Sequence, residues 1–260
     1  RMGGQIMKLF RLLLLIPFIV FSDADDMYLI KGGKTFLPDG SLAVKDILID
    51  EGKIILVENN IGNVGAKNVI NAEGKYVTPG LIVFSSLGLL EIGALPQTND
   101  TSSDIYNAGF DPSKAYNPFS QAVRLNRAKG VSSTVHVPGA SGYFSGLLTY
   151  TKINDGYKQK KQGPLGLVTS YGESYGDSRA AELHFMEDLF NYMRTNKDDN
   201  YADMTQFMIG TTNEYKFTKR DIKAINKVLN REMPLVVRVS KATDILNVLK
   251  FTENQQVDLI

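Results

Sequence analysis

The stretch VINAEGKYVTPGLIVF, Val69–Phe84, decides how the rest of the chain is read. Its first half places β-branched and aromatic residues on either side of Glu73-Gly74, a turn pair in which glycine accepts positive φ. Pro79-Gly80 interrupts that pattern, and Leu81–Phe84 follows as a continuous apolar run without alternation. Such a run suits a strand buried on both faces, as in a parallel sheet under helices. The change of character predicts a β-rich entry segment over residues 25–80 and a second, larger domain over 81–260.

Upstream, DILIDEGKIILV (Asp46–Val57) sets two β-branched runs around Asp50-Glu51-Gly52, which reads as a hairpin. Val69–Pro79 repeats the idea around Glu73-Gly74. Downstream, Leu81–Phe84, Val131–Val137, Leu165–Thr169, Leu235–Val239 and Val257–Ile260 are the expected strands. A helix is expected over Arg179–Met193, capped by Ser178. A second is expected over Lys219–Asn230, with Thr218 and Asp221 as a capping box and Ile222, Ile225 and Leu229 on one face. Strands alternating with helices imply a parallel sheet with crossover connections.

The N-terminus carries a different kind of signal. In MKLFRLLLLIPFIVFSDA, Met7–Ala24, the basic Lys8 and Arg11 precede the apolar run Leu12–Phe21, and Ser22 and Ala24 follow as small residues. This order is that of a secretory signal, so residues 1–24 are expected to be removed on export. With no cysteine in the chain, a bacterial periplasm or the exterior is the expected location. No other apolar run is long enough to span a bilayer, so no stable membrane span is expected after signal removal.

Composition narrows the function classes. Lys and Arg total 29 against 28 acidic residues, and the one dense basic run is Lys158-Gln159-Lys160-Lys161, so no nucleic-acid footprint is expected. The absence of cysteine excludes thiolate nucleophiles and Cys-ligated zinc. Only two histidines occur, His136 and His184.

Together, LIKGGKTFLPDGS (Leu29–Ser41), VKDILIDEGKIILV (Val44–Val57) and VINAEGKYVTPGLI (Val69–Ile82) resemble the N-terminus of the amidohydrolase superfamily. There a small β-sandwich segment leads through a V-x-PGLID-x-H-x-H motif into a TIM-like barrel. NPFSQAVRLNRAKGVSSTVHVPG (Asn117–Gly139) is similar to the family's second-strand region, and PLVVRVSKATDILNVL (Pro234–Leu249) to its PVxVHAxxAxDIxxAL segment. LGLLEI, Leu87–Ile92, is similar to an exported, imidazolonepropionase-related branch. The resemblance implies an α/β fold, a partial TIM-like (β/α)8 barrel preceded by a small β-sandwich segment. It also implies hydrolysis of non-peptide carbon–nitrogen bonds in a small-molecule substrate.

The family holds divalent metal, commonly zinc, with histidines and carboxylates, and the metal makes hydroxide from a bound water at neutral pH. Here the D-x-H-x-H positions fall on Val83, Ser85 and Leu87, and the histidine of PVxVHA falls on Arg238. Two apolar side chains, a neutral hydroxyl and a fixed cation make a degenerate motif that is expected to bind no metal. His136, Ser85 and Arg238 are the candidate catalytic residues, His136 by its place near the C-terminal end of an expected strand. His184 lies within a helix and reads as structural or surface. Gly172-Glu173-Ser174-Tyr175-Gly176 fits G-x-S-x-G, which makes Ser174 a candidate nucleophile.

Five expected strands are fewer than the eight of a closed barrel, which takes about 250 residues by itself. The expectation is a first part of a barrel, with further ligands beyond Ile260 and self-association through an unclosed sheet edge as the protein–protein contact. Three functional readings remain open: a metal-dependent amidohydrolase, a non-catalytic barrel binding a small molecule or partner, and a serine hydrolase built on Ser174.

Overall fold

The computed structural model describes residues 27–91, 98–103, 107–153, 161–172, 178–195 and 217–260. The expected signal segment and Ser174 lie outside the described residues. The chain divides into two compact units between Pro79 and Gly80.

The first unit is one five-stranded sheet: β1 (Tyr28–Phe36), β2 (Leu42–Asp50), β3 (Lys53–Glu58), β4 (Asn68–Asn71) and β5 (Tyr76–Val77). The order is β3-β2-β1-β4, with β5 also paired to β1. The expected hairpin is present as β2–β3, and its turn residues Glu51 and Gly52 both take positive φ, 47° and 73°. The second expected hairpin is corrected. A turn does form at Glu73-Gly74, yet β4 and β5 both pair with β1 in parallel rather than with each other. They lie end to end along one edge of β1, so the turn is an excursion between two segments of the same edge.

Asp46 pins this sheet. It is 3% exposed and accepts the amides of Gly32 (2.8 Å) and Ile61 (2.9 Å), with the Lys31 ammonium 3.7 Å away. Gly32 takes φ +70° at the point where the β1–β2 register shifts, which turns its amide toward that carboxylate. The Ile61 amide above all, then the Gly32 amide and Lys31, hold the Asp46 carboxyl below its ordinary range against the opposing effect of burial.

The second unit is a mixed α/β structure around an open five-stranded sheet. Its strands are β6 (Leu81–Ser85), β7 (Val131–His136), β8 (Phe144–Lys152), β9 (Lys161–Ser170) and β10 (Leu235–Arg238), in the order β10-β9-β8-β7-β6. Its helices are α1 (Gln121–Ala128), α2 (Arg179–Thr195), α3 (Lys219–Leu229) and α4 (Ala242–Asn254). Four strands fall where the sequence predicts them. The expected fifth strand, Val257–Ile260, is present only as a parallel bridge to β10, with Ile260 N–H donating to the Leu235 carbonyl (2.9 Å) and Leu235 N–H to that of Asp258 (2.8 Å).

The expectation of an all-parallel sheet is corrected by β8, which runs antiparallel to both β7 and β9. The connection from His136 to Phe144 contains Pro138, Gly139 and Gly142 and is too short for a crossover helix, so the chain returns in the opposite direction. The pairs β6–β7 and β9–β10 are parallel, as expected. Both expected helices form. Ser178 Oγ accepts the Ala181 amide (3.2 Å) at the start of α2, and Thr218 and Asp221 make the reciprocal capping box of α3. Leu167, Leu189, Phe190, Ile225, Val228 and Leu235 are fully buried where α2 and α3 cover β9 and β10.

Candidate functional site

Register decides which side chains share a face, because directly opposed residues point the same way. Ser85 pairs with His136, Val83 with Thr134, and His136 in turn with Thr149. These side chains therefore share one face of β6, β7 and β8, in two neighbouring rows. The Ser85 hydroxyl lies 3.3 Å from the Thr134 hydroxyl and accepts the Leu87 amide at 3.2 Å. His136 is wholly buried, and its Nε2 lies 2.9 Å from the Thr151 hydroxyl. The Tyr116 ring sits over it, 5.2 Å between centroids and tilted by 57°. Burial pushes the Tyr116 phenol above its ordinary pKa.

The remaining positions of the degenerate motif are apolar in their surroundings as well as in their chemistry. Val83 and Leu87 pack against Leu89, Tyr116, Val123, Val131 and Ile153. Gly88 makes the seating of Tyr116 possible: it takes φ +77°, and a Cβ there would come within 2.6 Å of the ring. Glu91, the glutamate of the LGLLEI stretch but not one of the expected site residues, ties the same segment to α1. Its two carboxylate oxygens accept the Asn117 amide group (3.0 Å) and the hydroxyl of Ser120 (3.1 Å), the residue that precedes α1.

Arg238 ends β10 opposite Ser170 in register, and its guanidinium donates to the Pro138 carbonyl at the end of β7. The Ser170 hydroxyl is buried with no hydrogen-bond partner among the described residues. Beyond it, the Gly172 amide donates to Glu182 (2.9 Å), and buried Asp244 takes the Arg179 guanidinium at 2.6 Å. The second histidine, His184, is on the exposed surface of α2, 3.7 Å from Glu187.

The structure thus brings Ser85 and His136 together and places Arg238 at the end of β10, bonded to the chain just after β7. Among the described residues, no group of three or more His, Cys, Asp or Glu is gathered closely enough to hold a metal ion. Val83 and Leu87 offer no donor atom, Ser85 is engaged with Thr134 and Leu87, and Arg238 brings positive charge to a place where a divalent ion would need negative charge. The described residues do not fit the metal that the sequence resemblance implies. Among them, too, no helix is long and apolar enough to cross a membrane.

No protein-family model matches the chain, and no curated protein does. Among solved structures, it is similar to an amidohydrolase from Thermotoga maritima, with a TM-score of 0.72 and 21% sequence identity. That likeness covers 89% of this chain and 63% of the other, so the chain spans under two thirds of the length of its structural relative. A D-hydantoinase shares 16% identity over 90% of this chain and 56% of its own, at a TM-score of only 0.37. At this identity, the Thermotoga likeness establishes a shared fold alone, in which the described residues form a curled half-barrel sheet that does not close and, earlier in the chain, a separate sheet.

Proposed function

We propose that the chain is part of an amidohydrolase-type hydrolase acting on a non-peptide carbon–nitrogen bond of a small molecule. The observation that supports it is the shared fold with the Thermotoga amidohydrolase over 89% of this chain. The PGLI entry at Pro79–Ile82 points the same way. In this reading, the described residues supply the scaffold and the substrate-facing strand ends, and no step is assigned to a metal held by them. Ser85, His136 and Arg238 are among the polar side chains at those ends. The segment of residues 1–24 directs the protein to the periplasm or exterior, and mass spectrometry of the exported protein is expected to begin at Asp25. Recovery of uncleaved protein from the cytoplasm would overturn the export reading.

The test is hydrolysis of a panel of cyclic and linear amides, ureas and imides by the full-length protein, followed through release of amine or carboxylate. Turnover of at least one of them is expected. A folded protein that turns over none of them would sink the hydrolase reading.

A second reading is favoured by one specific observation: Val83 and Leu87 form an apolar wall and Arg238 a fixed cation at the family's ligand positions. Here the barrel is non-catalytic and keeps only its small-molecule binding. Elemental analysis is then expected to find no tightly held metal, and one zinc per chain would overturn it.

A further inference from the structure

A cleft of about 240 Å³ lies between Asp100, Ser102 and residues 109–115 on one side and Arg220, in the first turn of α3, on the other. Its place in the fold follows from connectivity. The segment leaves the C-terminal end of β6, and α3 runs back toward the start of β10, so its N-terminus lies at the C-terminal ends of the parallel strands. The Leu147 amide, early in β8, donates to the Phe110 carbonyl at 2.8 Å and ties the segment to the sheet. Barrel folds of this kind keep their ligand sites at this end.

The walls of the cleft are rigidly set. Asp221, wholly buried, accepts the amides of Gly109 (2.6 Å) and Asn107 (3.2 Å) with one oxygen and caps α3 at Thr218 with the other. Gly109 lies so close to α3 that a Cβ there would come within 2.7 Å of the Arg220 backbone. Asp111 caps the short helix Pro112–Ala115 through Ser113, using one carboxylate oxygen.

Four charged residues line this open space, exposed Lys114 and Arg220 as cations, exposed Asp100 and half-buried Asp111 as anions, and Phe110 and Pro112 line it with them. None of the four forms an ion pair among the described residues. A volume of 240 Å³ is below the roughly 300–1,000 Å³ of pockets for drug-sized ligands, and so suits something the size of an amino acid. A lining with charges of both signs beside apolar residues is complementary to a molecule that carries both charges around an apolar group. We propose that the cleft binds a small zwitterion, an α-amino acid with an apolar side chain. Its carboxylate meets Arg220 and Lys114, its ammonium meets Asp100 and the open oxygen of Asp111, and its side chain lies on Phe110 and Pro112. The proposal stands whether or not the protein hydrolyses a carbon–nitrogen bond.

Calorimetric titration of the full chain with L-leucine tests it, beside 4-methylpentanoate, which lacks the amine, and 3-methylbutylamine, which lacks the carboxylate. L-leucine is expected to bind saturably, and each singly charged analogue about tenfold or more weakly, the size of effect expected for one charge-assisted contact. Arg220→Gln and Lys114→Gln are expected to weaken L-leucine by about tenfold and leave the amine unaffected. Asp100→Asn is expected to weaken L-leucine and the amine, with the carboxylate unaffected. Absence of saturable L-leucine binding by wild type with an intact melting transition overturns the proposal. So does equal binding of either analogue, or L-leucine affinity unchanged in all three variants.

Discussion

At one end of the second unit's sheet, Leu167 on β9 and Leu235 on β10 are wholly buried beneath α2 and α3, with Ile225 and Val228 filling the layer between. At the other end, Ile82 and Phe84 on β6 remain 57% and 70% exposed, while Val83 between them packs against Tyr116, Val123 and Leu89. The two ends have similar sequences, LIVF and LVVR, and opposite surroundings. Burial is therefore a property of what covers a strand, and similar apolar runs differ in what they contribute to stability.

The sharpest way to break the comparison is truncation at each end. Ile225→Ala, at a fully buried site, is expected to cost about 2–5 kcal/mol in denaturant unfolding, whereas Phe84→Ala should stay within ~0.5 kcal/mol. Equal costs would show that β6 is covered in solution. Next in size, Asp221→Ala removes one carboxylate that serves four donors, from Asn107, Gly109 and twice from Thr218. It is expected to cost about 2–3 kcal/mol, more than an ordinary helix cap, because the Gly109 amide is left buried without a partner.

A pH titration extends the contrast to the first unit. The Asp46 carboxyl is held below its unfolded value, chiefly by the Ile61 amide, so the folded state binds its proton less readily than the unfolded state. Its stabilisation is full above the unfolded carboxyl pKa of about 3.9 and is lost as pH falls through the lower folded value. Hydrogen exchange at the Gly32 and Ile61 amides is expected to accelerate in that acid window, and Asp46→Asn to abolish the dependence. The smallest effect concerns Tyr116, whose phenol burial pushes upward. In an ultraviolet titration its ionisation is expected only above the ordinary tyrosine value of about 10, and its contribution to stability declines as pH rises from there. Titration of every tyrosine at the ordinary value would contradict the buried placement beside His136.

What the sequence made legible was local. Thr218 and Asp221 are three residues apart, and their reciprocal cap needs nothing but the helix they start. Glu51-Gly52 likewise specifies its own turn. The failures are long-range. Glu73-Gly74 turns as read, but nothing within Val69–Val77 shows that both flanking strands would choose β1 as partner. The segment FSGLLTYTK of β8 is broken by Ser145, Gly146 and later polar residues and so lacks the short apolar run that marked the other strands of this unit, and the short connection before it was the available sign of its direction. That omission also hid the surroundings of His136, since Thr149 and Thr151 sit on the missed strand. The candidate cleft was illegible for the same reason. Lys114 and Arg220 are brought together by Asp221 reaching Gly109, a bond between residues more than a hundred positions apart.

The reversed strand β8 also bears on the order in which the second unit assembles. His136 finds Thr149, and Leu147 finds Leu167, across single connections, whereas Leu167 meets Leu235 only after the whole of α2 and α3 has been laid down. Closing a long loop before any pairing rewards it slows the folding of parallel sheets. The β7–β8–β9 meander gives this sheet a locally paired centre, onto which β6 and β10 add from either side. Pulse-labelled hydrogen exchange during refolding is expected to protect the amides shared by β7, β8 and β9 first and those joining β9 to β10 later. Simultaneous protection would mean that the antiparallel insertion confers no kinetic head start.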